Sequence, residues 1–235
     1  VQVGHLLWAT TVPPQQATVC PADREGSWSI GVFRGDSPFS LQPLEGLPPA
    51  DPSAPFNPAN PVLTCAHAAS DNAAFVAAPF LVSAPDGKTV HMFYELRTHG
   101  KVHQGNIAAA VSSDGGATFT YLGVVLNEPW HLSYPFVFEH AGTMWMVPES
   151  SQRGSVELYR AEQFPHNWVW HKTLIELPLL APSLLRHEGQ WYLLAAMQRN
   201  QQRTRCAHLE LWTSPTLSGN WSRGATLKHW HGVRA

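Results

Sequence analysis

The sequence predicts an all-β fold of the propeller type, in which four-stranded sheets form the repeating blades. A unit that opens with an X-Pro pair and an apolar strand recurs at intervals of about fifty residues. Each unit then carries three further strand-like segments separated by turns that contain glycine or asparagine. No long segment shows the 3.6-residue period of an amphipathic helix, so we expect little helix.

The first strand of each unit is almost wholly apolar, as expected of a strand that is covered on both faces near a propeller's channel. A turn and a second strand rich in aromatic and aliphatic residues follow it. The first strands are APFLV at 78–82, YPFVF at 134–138 and APSLL at 181–185; the turns are APDG, HAG and HEG; the second strands are VHMFYEL, TMWMVPE and QWYLLAAM.

The third and fourth strands of each unit are joined by a second turn. The third strands are NIAAAVSS, SVELYRAE and AHLELWTSP; the turns are DGGAT, FPHN and LSGN; the fourth strands are FTYLGVVL, WVWHKTLI and WSRGATLK. The fourth strands mix polar and apolar residues, which is typical of strands at the outer edge of a blade. Each unit is therefore predicted to be a four-stranded meander.

The N-terminal part of the chain supplies only part of such a unit. The segment WSIGVFRGDSPFSLQPL, which begins at Trp28, matches the third and fourth strands alone. The chain ends at Ala235, about where a fourth X-Pro strand would begin. We therefore expect about three full blades plus a partial blade, in a ring that this chain does not close. Residues 1–27 are expected to form an N-terminal extension, and residues 28–235 a propeller-like domain that is incomplete at its C-terminus.

Composition narrows the possible partners. The formal net charge is −2 and charged residues make up only 14% of the chain, so we expect no nucleic-acid partner and no attraction to an anionic membrane. No segment reaches the roughly 18 uncharged apolar residues of a membrane span.

The three cysteines form no CxxC pair but allow one disulfide. Asn220-Trp221-Ser222 satisfies the sequon for N-linked glycosylation, which matters only in a secretory lumen and often occurs by chance.

A carbohydrate pocket is the most promising candidate site. Glu95 and Glu149 end the second strands of successive units, and Trp130, His131 and Tyr134 lie close to Glu149 in sequence. Carboxylates accept hydrogen bonds from sugar hydroxyls, while an aromatic face covers the apolar side of a sugar ring. The structural alternative is that both glutamates accept backbone N–H groups at strand ends and that Trp130 packs between blades.

Neither a metal nor a cofactor is predicted. The pair His229 and His231 and the trio His91, His99 and His103 have no carboxylate or cysteine partner at a spacing typical of a metal site. The segment at 112–119, SSDGGATF, is close to the sialidase Asp box. Such boxes are structural turns between the third and fourth strands of a blade, so this one supports the fold and not sialidase activity.

Three runs of the sequence carry a resemblance to a known family. They are GSWSIGVFRGDSPFSLQP, NPVLTCAHAASDNAAFVAAPFL and WHLSYPFVFEHAGTMWMVPESSQRGSVELYRAEQFP. The chain resembles the N-terminal propeller-like module of plant glucosamine inositolphosphorylceramide transferases from about Trp28 to Arg234. The resemblance implies a parent chain with a glycosyltransferase domain that adds a sugar to a sphingolipid in the Golgi. More remotely, the X-Pro repeat is similar to the five-bladed glycoside hydrolases of the arabinanase and invertase type.

In those hydrolases, carboxylates just before such prolines do the chemistry. Here the positions hold Ala78, Tyr134 and Ala181, and the nearer family usually has Asp-Pro-Phe at the first of them. The resemblance therefore implies an accessory module that recognises a sugar or glycolipid headgroup, is not catalytic by itself, and lies in the Golgi lumen if the source is eukaryotic. The alternatives are a divergent glycoside hydrolase that uses Glu149, Glu95 or a missing blade, and a scaffold for protein partners.

Overall fold

The computed structural model describes residues 6–12, 28–44, 60–100, 104–198 and 207–227 of the chain. Strands dominate these residues, which confirms the all-β class. The strands, in chain order, are β1 Leu6–Val12, β2 Ser29–Gly35, β3 Gln42–Pro43, β4 Ala73–Ser83, β5 Val90–Thr98, β6 Gly105–Ser112, β7 Thr120–Leu126, β8 Ser133–His140, β9 Thr143–Glu149, β10 Val156–Gln163, β11 His166–Ile175, β12 Leu179–His187, β13 Gln190–Gln198, β14 Ala207–Ser214 and β15 Ser222–Leu227.

The strands form antiparallel sheets in which chain neighbours are hydrogen-bonded neighbours. β4 to β7, β8 to β11 and β12 to β15 each make a four-stranded meander. These sheets confirm the predicted blades, because each strand overlaps the segment that the sequence pattern assigned to it.

The N-terminal sheet has one strand more than the pattern predicted. β2 and β3 are the two expected strands, and β1 pairs with β2 along its whole length, from Leu6 opposite Gly35 to Val12 opposite Ser29. The partial blade therefore has three strands in the order β1, β2, β3. The domain boundary at residue 28 stays a prediction.

The chain divides into two compact units, Val1–Asn127 and Glu128–Ala235. The first unit holds β1 to β7 around a buried cluster that includes Ile30, Met92 and Tyr94. The second holds β8 to β15 around a separate cluster that includes Leu158, Leu179 and Trp191. Each unit thus has a core of its own.

The X-Pro pairs share one backbone conformation. Ala78, Tyr134 and Ala181 have φ angles of 48°, 46° and 48°, in the left-handed region that non-glycine residues rarely adopt. The pairing of the first with the second strand shifts register at each of these places. Such a shift is a β-bulge. Proline has no N–H to donate to the ladder, and it is tolerated at a bulge because the extra residue there is unpaired.

The predicted Asp box is a structural turn. The Asp114 carboxylate accepts the backbone N–H groups of Ala117 and Thr118, both at 3.0 Å, and the hydroxyls of Ser112 and Thr118 at 2.7 and 2.6 Å. Desolvation raises the pKa of Asp114, but the four hydrogen-bond donors outweigh this effect and lower the pKa to about 2.

Helix is confined to two short 3₁₀ segments within the described residues, Cys65–Asp71 and Ser151–Arg153. This confirms the expectation of little helix. Cys65 is disulfide-bonded, as the sequence allowed. In the described part of the chain, no helix is long and apolar enough to cross a membrane.

Candidate functional site

Four of the five predicted site residues lie together in the second unit. Glu149 is the last residue of β9 and pairs with Ser133, the first residue of β8, so Tyr134 follows directly beside it. Trp130 and His131 lie in the loop that leads into β8. The strand pairing therefore brings this loop and the end of β9 to the same end of the sheet.

Glu149 is 4% exposed and both of its carboxylate oxygens accept hydrogen bonds. Oε2 accepts the backbone N–H of Ala181 at 2.8 Å, and Oε1 accepts the Ser151 hydroxyl at 3.3 Å. Ala181 is the left-handed residue of the X-Pro bulge in the next sheet. The structural alternative considered for Glu149, in which it accepts a backbone N–H, therefore describes its geometry.

Tyr134 is tied to the same neighbouring strand. Its phenol oxygen lies 3.1 Å from the Ser183 Oγ, a hydrogen-bond distance. Glu149 and Tyr134 thus contact β12 on either side of Pro182. These two contacts therefore connect β12, the first strand of the third meander, to β8 and β9 of the second meander.

Trp130 and His131 pack against the 3₁₀ segment Ser151–Arg153. The Arg153 guanidinium carbon lies 5.2 Å from the centre of the Trp130 ring, within the range of a cation–π contact. The His131 backbone N–H donates to Gln152 Oε1 at 2.6 Å, so the His131 imidazole is not needed for this bond. The Trp130 indole Nε1 is buried and has no hydrogen-bond partner among the described residues.

Glu128 and Tyr159 extend this group of side chains, which we call the Trp130 cluster: Glu128, Trp130, His131, Gln152, Arg153 and Tyr159. The Tyr159 hydroxyl donates to Glu128 Oε1 at 3.1 Å. Burial, followed by the nearby Glu128 carboxylate, raises the pKa of Tyr159 well above its usual value. Tyr159 therefore acts as a hydroxyl donor and Glu128 as its acceptor.

Glu95, the fifth predicted residue, lies in the first unit. It is 9% exposed and stands opposite Ala77, just before the Ala78 bulge, as Glu149 stands opposite Ser133, just before the Tyr134 bulge. The two glutamates therefore have the same register position in their own sheets. A shared sugar-binding role for them stays a prediction.

Two buried carboxylates in the third strands were missed by the sequence analysis. Glu157 is 1% exposed and accepts from the Ser155 hydroxyl at 2.6 Å, the Trp170 indole at 2.8 Å and the Thr173 hydroxyl at 2.8 Å. The repeated pattern VEL at 156–158 and LEL at 209–211, each facing a polar fourth strand, was the available signal.

Glu210 has the corresponding position in β14. It is also 1% exposed, and it forms a bidentate pair with Arg223 of β15, with both N–O distances at 2.6 Å. A buried carboxylate is stable when donors satisfy it. These glutamates therefore join the third strand to the fourth within their own sheets.

Histidines do not gather into a metal site in the described part of the chain. No three His, Cys, Asp or Glu side chains there could hold one metal ion. His103 of the predicted trio, and the pair His229 and His231, lie outside the described residues.

Comparison with known proteins assigns the family. The model of the family described as glucosamine inositolphosphorylceramide transferase 1, N-terminal, matches residues 20–230. This chain belongs to that family. The transferase 1 of that name from Oryza sativa subsp. japonica is 42% identical over 90% of the chain, and the one from Arabidopsis thaliana is 41% identical over 86%. The chain spans only 28% and 26% of the length of these relatives.

Solved structures agree with the propeller fold. An exo-β-1,3-galactanase from Clostridium thermocellum matches with a TM-score of 0.68 and 14% identity, covering 95% of this chain and 47% of that one. A family 43 β-1,3-galactosidase matches with a TM-score of 0.63 and 9% identity, covering 95% and 44%. At such identities the likeness is one of fold, and the fold of this family member is that of the family 43 propellers.

Proposed function

We propose that this chain is an accessory propeller module that recognises a sugar or glycolipid headgroup beside a glycosyltransferase domain of the same parent protein. Family membership supports this choice of substrate class, because relatives of the chain carry the name glucosamine inositolphosphorylceramide transferase 1. The observation that carries the recognition role is the Trp130 cluster. An aromatic ring, an exposed cation and hydroxyl-binding groups meet there at one end of a sheet.

Arg153 is the group best suited to an anionic headgroup. Its side chain is exposed, yet the guanidinium is placed over the Trp130 ring. A guanidinium presents five N–H donors in a plane and binds phosphate oxygens in pairs. An inositol phosphate headgroup offers both the phosphate for Arg153 and ring hydroxyls for Glu128 and Gln152.

Glu149 and Tyr134, which lie beside the X-Pro bulges of the second unit, have a supporting role in this proposal. Glu149 and Tyr134 contact β12 and so fix the strands from which the cluster's loops leave. Glu149 is placed to position its neighbours, since its carboxylate already accepts two hydrogen bonds. Trp130 and Arg153 therefore make the direct contact in this proposal.

Hydrolysis by this chain is the weaker alternative. It needs one protonated and one ionised carboxyl group about 5 to 10 Å apart on either side of a glycosidic bond. The residues before the three prolines are alanine, tyrosine and alanine. The likeness to family 43 propellers supports the fold on which such chemistry occurs, and it supplies no carboxylate at these positions.

Titration calorimetry of the chain with inositol phosphates and amino sugars tests recognition. We expect Arg153→Ala and Trp130→Ala to weaken binding of an inositol phosphate by about tenfold or more, since a hydrogen bond to a charged group contributes about 1.5 to 3 kcal/mol. His131→Ala removes the imidazole and keeps the backbone N–H bond to Gln152, so it isolates the contribution of the side chain.

Arg160→Ala is the matched control for the loss of a surface arginine. Arg160 is exposed on β10 and contacts Glu162 at 3.4 Å. Equal binding by the Arg153 and Arg160 variants would contradict the proposed site.

Release of nitrophenol from a panel of nitrophenyl glycosides, abolished in Glu149→Gln, would instead favour the hydrolase. Capture of a protein partner with no sugar binding would favour the scaffold.

The parent protein and its location are part of the same proposal. Because the chain spans about a quarter of its curated relatives, we expect a glycosyltransferase domain elsewhere in the parent chain. Such a protein would act in the Golgi lumen. The reading frame of the parent gene tests the first expectation, and protease protection of the module in sealed Golgi vesicles tests the second.

A further inference from the structure

We propose that Asn220 is a site of N-linked glycosylation, and that the module therefore carries a glycan beside the β15 edge of its last sheet. Asn220-Trp221-Ser222 is the one sequon in the sequence. A sequon alone is weak, because such triplets occur by chance. Two further observations, the presentation of this triplet and the redox state of a cysteine, give it weight.

The structure presents the triplet on a well-anchored turn between β14 and β15. Asn220 and Ser222 are both exposed. The turn before them is closed by a hydrogen bond from Gly219 N–H to the Thr216 carbonyl at 3.0 Å. Trp221, between the two exposed residues, turns inward and donates its indole N–H to the Leu217 carbonyl at 3.3 Å.

The tryptophan side chain contributes to packing, whereas the two side chains that the sequon requires do not. Trp221 packs against the second unit's core, while the asparagine before it and the serine after it face outward. A glycan on Asn220 therefore displaces no packed side chain. β15 is an edge strand of its sheet, and a bulky polar group beside such an edge hinders pairing with a second chain.

The preceding meander offers a control of the same design. Directly after its turn between the third and fourth strands, at the start of β11, lies Asn167-Trp168-Val169. Asn167 is exposed, and Trp168 donates its indole N–H to the Pro165 carbonyl at 2.8 Å. Val169 stands where Asn220's triplet has a serine. The two triplets thus share an exposed asparagine and an inward-facing tryptophan, but only one has the hydroxyl that the sequon requires.

The disulfide at Cys65 points to the compartment in which this modification occurs. Disulfides persist in oxidising lumens and are rare in the cytosol. Cys65 is 2% exposed and disulfide-bonded. A chain that has passed through an oxidising lumen has also met the enzymes that glycosylate sequons there. This argument does not depend on the proposed sugar-binding role.

The covalent step joins the asparagine side chain to a lipid-linked oligosaccharide. The Asn220 Nδ2 forms a bond to the anomeric carbon of an oligosaccharide pyrophosphate lipid. The bond between that carbon and the pyrophosphate oxygen breaks, the amide nitrogen loses one proton, and the lipid pyrophosphate leaves with the electron pair of the broken bond.

The test uses the full parent protein, expressed in eukaryotic cells and purified from their membranes. Treatment with a peptide N-glycosidase that accepts plant-type glycans, in water enriched in heavy oxygen, converts a glycosylated asparagine into labelled aspartate. Peptide mass spectrometry should then find label at Asn220 and none at Asn167. Asn220→Gln and Ser222→Ala should each abolish the labelled peptide, and Ser222→Thr should retain it.

The labelling results at Asn220 and in the Ser222 variants either support or overturn the proposed glycosylation. Label at Asn220 that depends on a hydroxyl at position 222 supports the proposal. An unlabelled Asn220 in protein from eukaryotic membranes overturns it, and so does label that persists in Ser222→Ala. Ser222→Thr guards against a folding defect, since it keeps the hydroxyl and changes the side chain by one methyl group.

Discussion

The backbone N–H of a residue before proline needs a partner when that residue forms a bulge. At the Ala181 bulge the partner is Glu149 Oε2 at 2.8 Å, and at the Ala78 bulge it is the Thr11 hydroxyl at 2.9 Å. Both side chains come from a strand of the neighbouring sheet in the same unit. A carboxylate and a hydroxyl thus do the same structural task, which explains why an acidic residue at such a place does not by itself indicate catalysis.

Glu149→Ala should destabilise the protein by about 1 to 3 kcal/mol, because it leaves the Ala181 N–H without its acceptor in a partly buried place. Glu149→Gln should cost less, since its amide oxygen can still accept that N–H. Urea unfolding monitored by tryptophan fluorescence measures both. Glu188→Ala, whose side chain is 85% exposed, is the control, and a loss at Glu149→Ala no larger than the control's would contradict this role.

Asp114 should make the stability of the first unit fall in acid. Its pKa is about 2 in the folded protein against the usual 3.8, so the stabilisation is present above about pH 4 and is lost as the pH falls toward 2. In Asp114→Asn the urea midpoint should change less between pH 4 and pH 2 than in the unaltered protein. Glu139→Gln, an exposed carboxylate on β8, should leave that pH dependence unchanged. Identical profiles for the two variants would refute the assignment.

The meanders show which features of a β-sheet can be predicted from local sequence. Strand positions followed from alternation and from turn residues, both of which act within a few residues. The missed strand, β1, has the short apolar run LLWATTV and is separated from its partner β2 by residues 13–28, so no hairpin turn marks it. Its pairing depends on contacts distant in sequence.

The X-Pro bulges recur with left-handed residues, and this conformation can be tested by substitution. Ala78→Gly should leave stability unchanged or raise it by up to about 1.5 kcal/mol. Glycine removes a strain of roughly 1 to 2 kcal/mol at positive φ, and its greater unfolded-chain entropy costs about 0.5 to 1 kcal/mol. Ala77→Gly, one residue earlier on the same strand, should destabilise. Thermal unfolding compares the two, and an equal loss in both variants would show that the bulge is not strained.

The candidate site could be predicted only in part, because its parts come from separate segments. Trp130, His131, Tyr134 and Glu149 were found from their places around β8 and β9. Arg153 was not, since nothing in the run SSQRG shows that its guanidinium lies over Trp130. Likewise, the partner of Glu149 is a backbone N–H that lies 32 residues away in the next sheet. Such contacts follow from the packing of sheets, which local patterns do not specify.

A recognition module in a larger transferase should affect one substrate and not the other. The proposed function makes the parent protein a transferase with a lipid acceptor and a sugar donor. In that parent, Arg153→Ala should raise the KM for the lipid acceptor by about tenfold, the equivalent of one charge-assisted hydrogen bond, and leave the KM for the sugar donor unchanged. Steady-state assays with each substrate varied in turn measure this separation. Arg160→Ala should change neither constant, because that exposed arginine contacts Glu162 on its own strand. A rise in the donor KM, or an equal rise in both, would mean that Arg153 acts on the catalytic domain and not on the acceptor headgroup.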